Sequence, residues 1–431
     1  MRGPYLLPME TPADFELVFA SIGCDPLGGQ IMVKKGETLP ILLKEVRSPG
    51  ANILKQQMLS LGGEAVVGRG VVNCSQEYTD VLLLGTVAIY EALVYKLQVQ
   101  RQPWGLGTLG EKLQDLLAKM GKARQPIVWK WPDRQLVLGE KVLVMGILNV
   151  TPDSFSDGGQ FQEIEKALAH ARQMVADGAE IIDLGGESTR PGHTTIPAEE
   201  ELARVMPVLE KLVQELPVPI SLDTSKAKVA EAALAAGVHI LNYEGAGEDA
   251  AVAQVAARYQ APVIIMHNPQ TTPPVDAPVN NLAKIPAGNP ANNPANTPGN
   301  EPANNPVSAD LLPALLDQLA QKIGIFEAAG VLPKKIMTDP GIGFGKSQAE
   351  NLVVLKQLES LRTLGKPVLL GVSRKSFLGH ILNLPVGERQ EGSLAGAAWG
   401  IMHGADVLRV HDVRETVRLV KVFEALKRAG A

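Results

Sequence analysis

The sequence has 431 residues, of which 45% are hydrophobic and 20% charged, and its formal net charge is -5. Such a composition suits a globular chain with a large apolar core and argues against a general nucleic-acid binder, while leaving room for a local basic pocket. Two cysteines, Cys24 and Cys74, make no disulfide framework or thiolate cluster, and no signal-peptide core or run of roughly 20 apolar residues is present, so the sequence reads as a cytoplasmic protein without a membrane span.

The first 122 residues predict a small α/β unit of illegible function. Residues 51–67 read as a helix stopped at Gly62-Gly63 and then a strand, because glycine suits the left-handed conformation that ends helices. VLLLG at 81–85 reads as a buried strand, and 88–100 and 109–121 carry apolar residues at helical spacing. GKARQP at 121–126 reads as a linker. The segment from 128 to 138 predicts a hairpin that plugs the floor of a barrel spanning 126–431.

That barrel is inferred from a recurrence. Eight short apolar runs stop at polar residues: Asn149, Thr189, Asp223, Asn242, His267, Asp339, the Arg374-Lys375 pair, and Arg409 with His411. Unalternating apolar runs are the mark of strands covered on both faces by helices. Helices are predicted at 163–177, 198–215, 226–236, 248–258, 310–329, 348–363, 391–403 and 412–427. Eight strand–helix units make a (β/α)8 TIM barrel, whose active site gathers at the C-terminal ends of the strands. Residues 269–307 interrupt the rhythm with recurring Asn-Pro and almost nothing apolar, which predicts a disordered insertion at the mouth.

The polar stops suggest a chemistry. Asp223, Asn242 and Asp339 offer acceptors for the N–H and NH₂ edge of an amidine-like heterocycle. Arg190 can grip an anion in a bidentate way. Ser373-Arg374-Lys375-Ser376 and Arg409-Val410-His411-Asp412 end the last two strands, the usual phosphate corner of such barrels. Asp412 is expected to cap the last helix or orient His411. Glu199, Glu200 and Glu201 open a helix, where acids suit the dipole. The glycines of 341–346 fit neither dinucleotide nor P-loop spacing. No Ser–His–Asp or Cys–His arrangement is evident.

The motifs GILNVTPDSFSDGG, EIIDLGGESTRPG, LDTSK, MTDPGIGFGKS, GVSRKSFLG and RVHDV resemble those of dihydropteroate synthase, in that family's order, over about residues 140–431. The resemblance implies attack of p-aminobenzoate on 6-hydroxymethyl-7,8-dihydropterin pyrophosphate, SN1-like and assisted by Mg²⁺. It implies that Asp223, Asn242, Asp339 and Lys375 hold the pterin. Asn149, Arg190, Arg409 and His411 would hold the pyrophosphate, with Asn149 on the Mg²⁺. Phe155, Thr189, Pro191, Lys375 and Ser376 would border the p-aminobenzoate site, where sulfonamides compete. Asp223, Asp339, Lys375 and Arg409 are the expected catalytic set, the partners are small molecules, and a homodimer is expected. Two departures stand out: Tyr243 follows Asn242 where an acid is usual, with Glu244 a possible substitute, and Asn268 replaces a methionine after His267. The alternatives are a corrinoid-linked methyltetrahydrofolate methyltransferase, which would leave the basic corner without purpose, and a non-catalytic pterin-binding paralogue.

Overall fold

A computed structural model describes residues 12–100, 104–121, 126–150, 160–187, 196–245, 247–269 and 307–428. The chain divides into two compact units, residues 1–123 with 430–431, and 124–429.

In the first unit, α1 (Pro12–Ile22) and α2 (Pro26–Val33) precede β1 (Thr38–Arg47), α3 (Ser48–Ser60), β2 (Glu64–Val67), β3 (Tyr78–Thr86), α4 (Val87–Gln100) and α5 (Leu106–Gly121). The three strands form one antiparallel sheet with β3 in the centre. Its core gathers Leu54 and Met58 from α3, Val81 and Leu83 from β3, and Tyr90, Leu93 and Leu97 from α4. β1, α1 and α2 were not legible in the sequence. Pro40 and the charged Lys44-Glu45 break the alternation of β1, and the ladder shifts register between Leu43 and Val46, where Glu45 takes a φ of 53°.

The second unit starts with a two-stranded hairpin, β4 (Ile127–Lys130) and β5 (Gln135–Leu138). Eight parallel strands follow: β6 (Leu143–Asn149), β7 (Ile181–Gly185), β8 (Ile220–Asp223), β9 (Ile240–Tyr243), β10 (Val263–Met266), β11 (Ile336–Asp339), β12 (Leu369–Leu370) and β13 (Val407–Val410). The order runs β11-β10-β9-β8-β7-β6-β13-β12, and a bridge between Thr338 and Val368 joins the two ends. Interleaved are α6 (Gln160–Ala176), α7 (Ala198–Glu215), α8 (Ala227–Ala235), α9 (Asp249–Arg258), α10 (Leu311–Ala328), α11 (Gln348–Lys356), α12 (Ser376–Leu382), α13 (Gln390–Met402) and α14 (Val413–Arg428). This is a (β/α)8 TIM barrel. No described helix is long and apolar enough to cross a membrane.

Successive side chains of each strand point to opposite faces, and the barrel sorts them into two cores. Ile182, Leu184, Leu222, Leu241, Val263, Ile265 and Leu408 pack outward against the helices. Ile181, Ile240, Ile264, Met337, Leu369 and Val407 point inward and stack on Trp129, Leu136 and Leu138 of the hairpin. The hairpin thus closes the barrel floor. Trp129 is buried and donates its indole N–H to the Lys334 carbonyl at 2.8 Å. The helix expected over 348–363 breaks into α11 and a 3₁₀ segment over Leu358–Leu364; near the break the Trp399 indole N–H takes the Leu355 carbonyl at 2.9 Å. The short α12 was not foreseen. The expected insertion lies outside the described residues over 270–306.

Trp129→Ala empties the floor of the inner core and leaves the Lys334 carbonyl without its donor. It is expected to lower the unfolding free energy by about 3–5 kcal/mol, read as a shifted urea midpoint. An unchanged midpoint would show that the plug carries no stability.

Candidate active site at the barrel mouth

The inward positions turn from apolar to polar going up the strands. Above the apolar floor come Asp183 on β7, Ser221 on β8 and Arg409 on β13, all buried or nearly so. One level higher, parallel pairing aligns Asn149 with Gly185, Gly185 with Asp223, and Asp223 with Asn242. Gly185 keeps this row open: a Cβ there would lie 3.2 Å from Asn149 Oδ1 and 3.8 Å from Asp223 Cβ. Asp339 ends β11 beside Met266, and Lys375 precedes α12.

Arg409 is the centre of the polar layer. Its Nε donates to Asp183 Oδ2 and its Nη2 to Asp223 Oδ2, both at 2.6 Å. Asn242 adds its amide N–H to Asp183 Oδ2 at 3.1 Å. The guanidinium is thus tied between two carboxylates. A charge buried this deeply persists only when paired. Asp183 Oδ1 and Asp223 Oδ1 remain buried with no N–H or O–H donor.

The titration of the site follows from burial. Burial and the adjoining Glu244 raise Asp223 well above the usual carboxylate range, against the pull of Arg409. Burial raises Asp339, whose carboxylate accepts the Gly341 N–H at 2.7 Å. Burial and the nearby Arg409 push Lys375 down to about 8. The Lys375 ammonium sits 4.1 Å from the centre of the Phe344 ring, a cation–π contact. His411 is pushed down to about 4 by burial, Arg409 and Arg374. It is therefore neutral at pH 7, with Nδ1 3.0 Å from Ser373 Oγ, and supplies a hydrogen bond rather than a positive charge. Arg374 and Asp412 also differ from expectation, since they bind each other through Nη2–Oδ1 at 2.6 Å and Nε–Oδ2 at 3.2 Å. Ser376 is exposed in the first turn of α12.

Neighbouring loops are locked from beneath. Lys346 donates to the Gly341 carbonyl at 2.8 Å, and Asn351 clasps the Gly343 N–H and the Lys346 and Ser347 carbonyls, so this glycine run is a braced turn. Glu201 is not merely a helix-dipole acid: it is 1% exposed and its Oε2 lies 2.6 Å from Lys226 Nζ, which also binds Glu187. Asp223, Asn242, Asp339, Lys375, Arg409 and His411 thus gather at one end of the barrel with Asn149 at the rim. Phe155, Thr189, Arg190 and Pro191 lie outside the described residues. Among the described residues, no group of three or more His, Cys, Asp or Glu is placed to hold a metal ion. Asn149 offers one amide oxygen at the rim, and Mg²⁺ held with a substrate phosphate takes most of its remaining ligands from phosphate oxygens and water.

Asp183 escaped the sequence reading, and Glu244 was marked only as a substitute for the missing acid. Asp183 lies inside the apolar run IIDLG, and its signal is parity: it occupies the inward phase set by Ile181 and Gly185. Glu244 stands two positions beyond Asn242 and so shares its face, whereas Tyr243 points outward against Phe326 with ring centroids 5.9 Å apart.

A family model described as pterin binding enzyme matches residues 145–411. The dihydropteroate synthase of Bacillus subtilis is 45% identical over 292 residues, covering 68% of this chain and 90% of that protein. A probable bifunctional folylpolyglutamate synthase/dihydropteroate synthase of Halobacterium salinarum is 39% identical over 394 residues, 91% of this chain and 43% of that protein, a span too long for the barrel unit alone. Among solved structures, Xanthomonas albilineans dihydropteroate synthase with 4-aminobenzoic acid superposes with a TM-score of 0.59 at 36% identity, covering 70% of this chain and 99% of that one.

Arg409→Ala would strand Asp183 and Asp223 in the lumen. The expected loss is about 3–5 kcal/mol of stability at pH 8. Without the pull of Arg409 the already raised Asp223 rises further, so the folded variant takes up a proton before the unfolded chain as pH falls, and the loss shrinks toward pH 5. Urea titrations at both pH values check this; a loss independent of pH would contradict it.

Proposed function

We propose, since the chain belongs to the pterin-binding enzyme family and stands among its dihydropteroate synthases, that this transferase joins 6-hydroxymethyl-7,8-dihydropterin pyrophosphate to p-aminobenzoate, giving 7,8-dihydropteroate and pyrophosphate. The observation that carries the reading is the convergence of Asp223, Asn242, Asp339, Lys375 and Arg409 above a closed apolar floor. A dihydropterin presents N–H and NH₂ groups along one edge, and the buried carboxylate oxygens that lack donors are suited to receive them.

The path we favour is SN1-like. Cleaving the C–O bond leaves a cation spread over the pterin and a pyrophosphate anion. Fixed carboxylates at Asp223 and Asp339 favour the first, and Arg409 with the N–H of His411 favours the second. The aniline nitrogen then bonds to the methylene carbon, and its surplus proton leaves to the pyrophosphate or to solvent. No side-chain nucleophile is required. Arg190 completes the pyrophosphate grip in this scheme, and Phe155, Thr189, Pro191 and Ser376 border p-aminobenzoate beside Lys375. We take the working form as a cytoplasmic homodimer, for which the exposed Ile381, Leu382, Trp399 and Met402 of α12 and α13 supply apolar surface.

Purified protein given both substrates is expected to release pyrophosphate, and a sulfonamide should suppress that release competitively with p-aminobenzoate. No release at saturating substrates would overturn the reading. Arg409→Ala should cut turnover by about 10²-fold while pterin binding measured by calorimetry partly survives; equal loss of both would contradict the division of roles. Removing residues 270–306 is expected to leave the rate within about twofold, as for a tolerated insertion, and a collapse would assign the segment to the working site.

A further inference from the structure

We infer that Asp223 and Glu244 form a carboxyl pair sharing one proton, and that Glu244 is a positioning residue that sets the orientation of Asp223 toward the substrate. The inference rests on the reading proposed above for what that substrate is.

The geometry comes from β9. Ile240 and Asn242 face the lumen, Leu241 and Tyr243 face the helices, and Glu244, just past the strand, follows in the inward phase beyond Asn242, which pairs with Asp223. There the two side chains are hydrogen-bonded to each other. Asp223 is 7% exposed. Its Oδ2 is taken by Arg409. Two ionised carboxylates have no hydrogen to place between them, so their contact holds only when one carries a proton. The groups facing the pair are Asp183 from β7, Arg409 from β13 and Lys375 from the start of α12. With Asp339 beside the same Lys375 and Arg409, the acids outnumber the two cations, which favours a proton on the pair. Burial, which pushes Glu244 up to about 6 and Asp223 well above its usual range, acts in the same direction. The proton belongs to the pair rather than to either residue.

The shared proton ties the Asp223 carboxyl to Glu244 while Arg409 holds its Oδ2. Losing it at high pH sets two like charges in contact and frees Asp223 to turn. The pair thus predicts an alkaline fall in kcat that belongs to Glu244.

Two variants test this. Glu244→Leu keeps the bulk and removes the hydrogen bond; kcat is expected to fall on the order of tenfold or more with KM for p-aminobenzoate little changed. Glu244→Gln supplies an amide N–H to Asp223; it should recover most of that loss and remove the pair's share of the alkaline limb, leaving only that of Lys375. Infrared difference spectra of the substrate-free protein at pH 7 give a reading independent of turnover: a protonated-carboxyl C=O stretch in the unsubstituted protein that is absent from Glu244→Gln. A band unaffected by Glu244→Gln, a pH profile of that variant superposing on the original, or full activity in Glu244→Leu would each overturn the inference. If the unsubstituted protein released no pyrophosphate, the proposed function would fall while the infrared band still decided the pair.

Discussion

The bond from Arg409 to two carboxylates organises everything above the barrel floor. A guanidinium and two acids in a lumen sealed from below cannot rely on water for solvation, so each must find its partner within the protein. Arg409 reaches Asp183 with one nitrogen and Asp223 with another, and this fixes the spacing of β7, β8 and β13 as seen from inside. It also leaves one oxygen of each acid without a donor. A lumen of ready acceptors around an immobile cation is prepared for a ligand that is rich in N–H groups on one edge and loses an anion from another.

The low values of Lys375 and His411 refine that picture. Burial costs both groups part of their charge, so the anion-facing corner is less positive near neutrality than a count of basic residues suggests. Arg374 contributes little to it, because Asp412 holds its guanidinium. The corner acts through Arg409 and directed hydrogen bonds rather than through a pool of positive charge.

Much of this was legible in the sequence because a parallel barrel writes its strands as apolar runs and its mouth as their polar ends. Asn149, Asp223, Asn242, His267, Asp339 and Arg409 could be marked for that reason alone, and the order of β6 to β13 followed from the helices between them. Residues whose meaning depends on facing were harder to see. Asp183 was absorbed into its run although its phase points inward, and Glu244 was noticed only as a possible stand-in for a missing acid. Glu201 read as a dipole-compensating residue because nothing in the chain shows that Lys226 lies across from it. Ion pairs between distant segments, such as Lys226 with Glu201 or Arg374 with Asp412, belong to packing and leave no local trace. In the first unit, β1 was lost because Pro40 and its charged pair disturb the alternation on which strand recognition relies.

The two-residue alternation of β9 carries an implication for how this chain can change. Adding or deleting a single residue just after Asn242 would exchange Tyr243 and Glu244 between faces, driving an aromatic ring into the cavity and a carboxyl into the hydrocarbon around Phe326. A change of two residues would keep the phase. Sequence drift in this short stretch is therefore constrained by a reading frame of its own, in which point substitutions and even-numbered length changes can be absorbed and odd-numbered ones cannot.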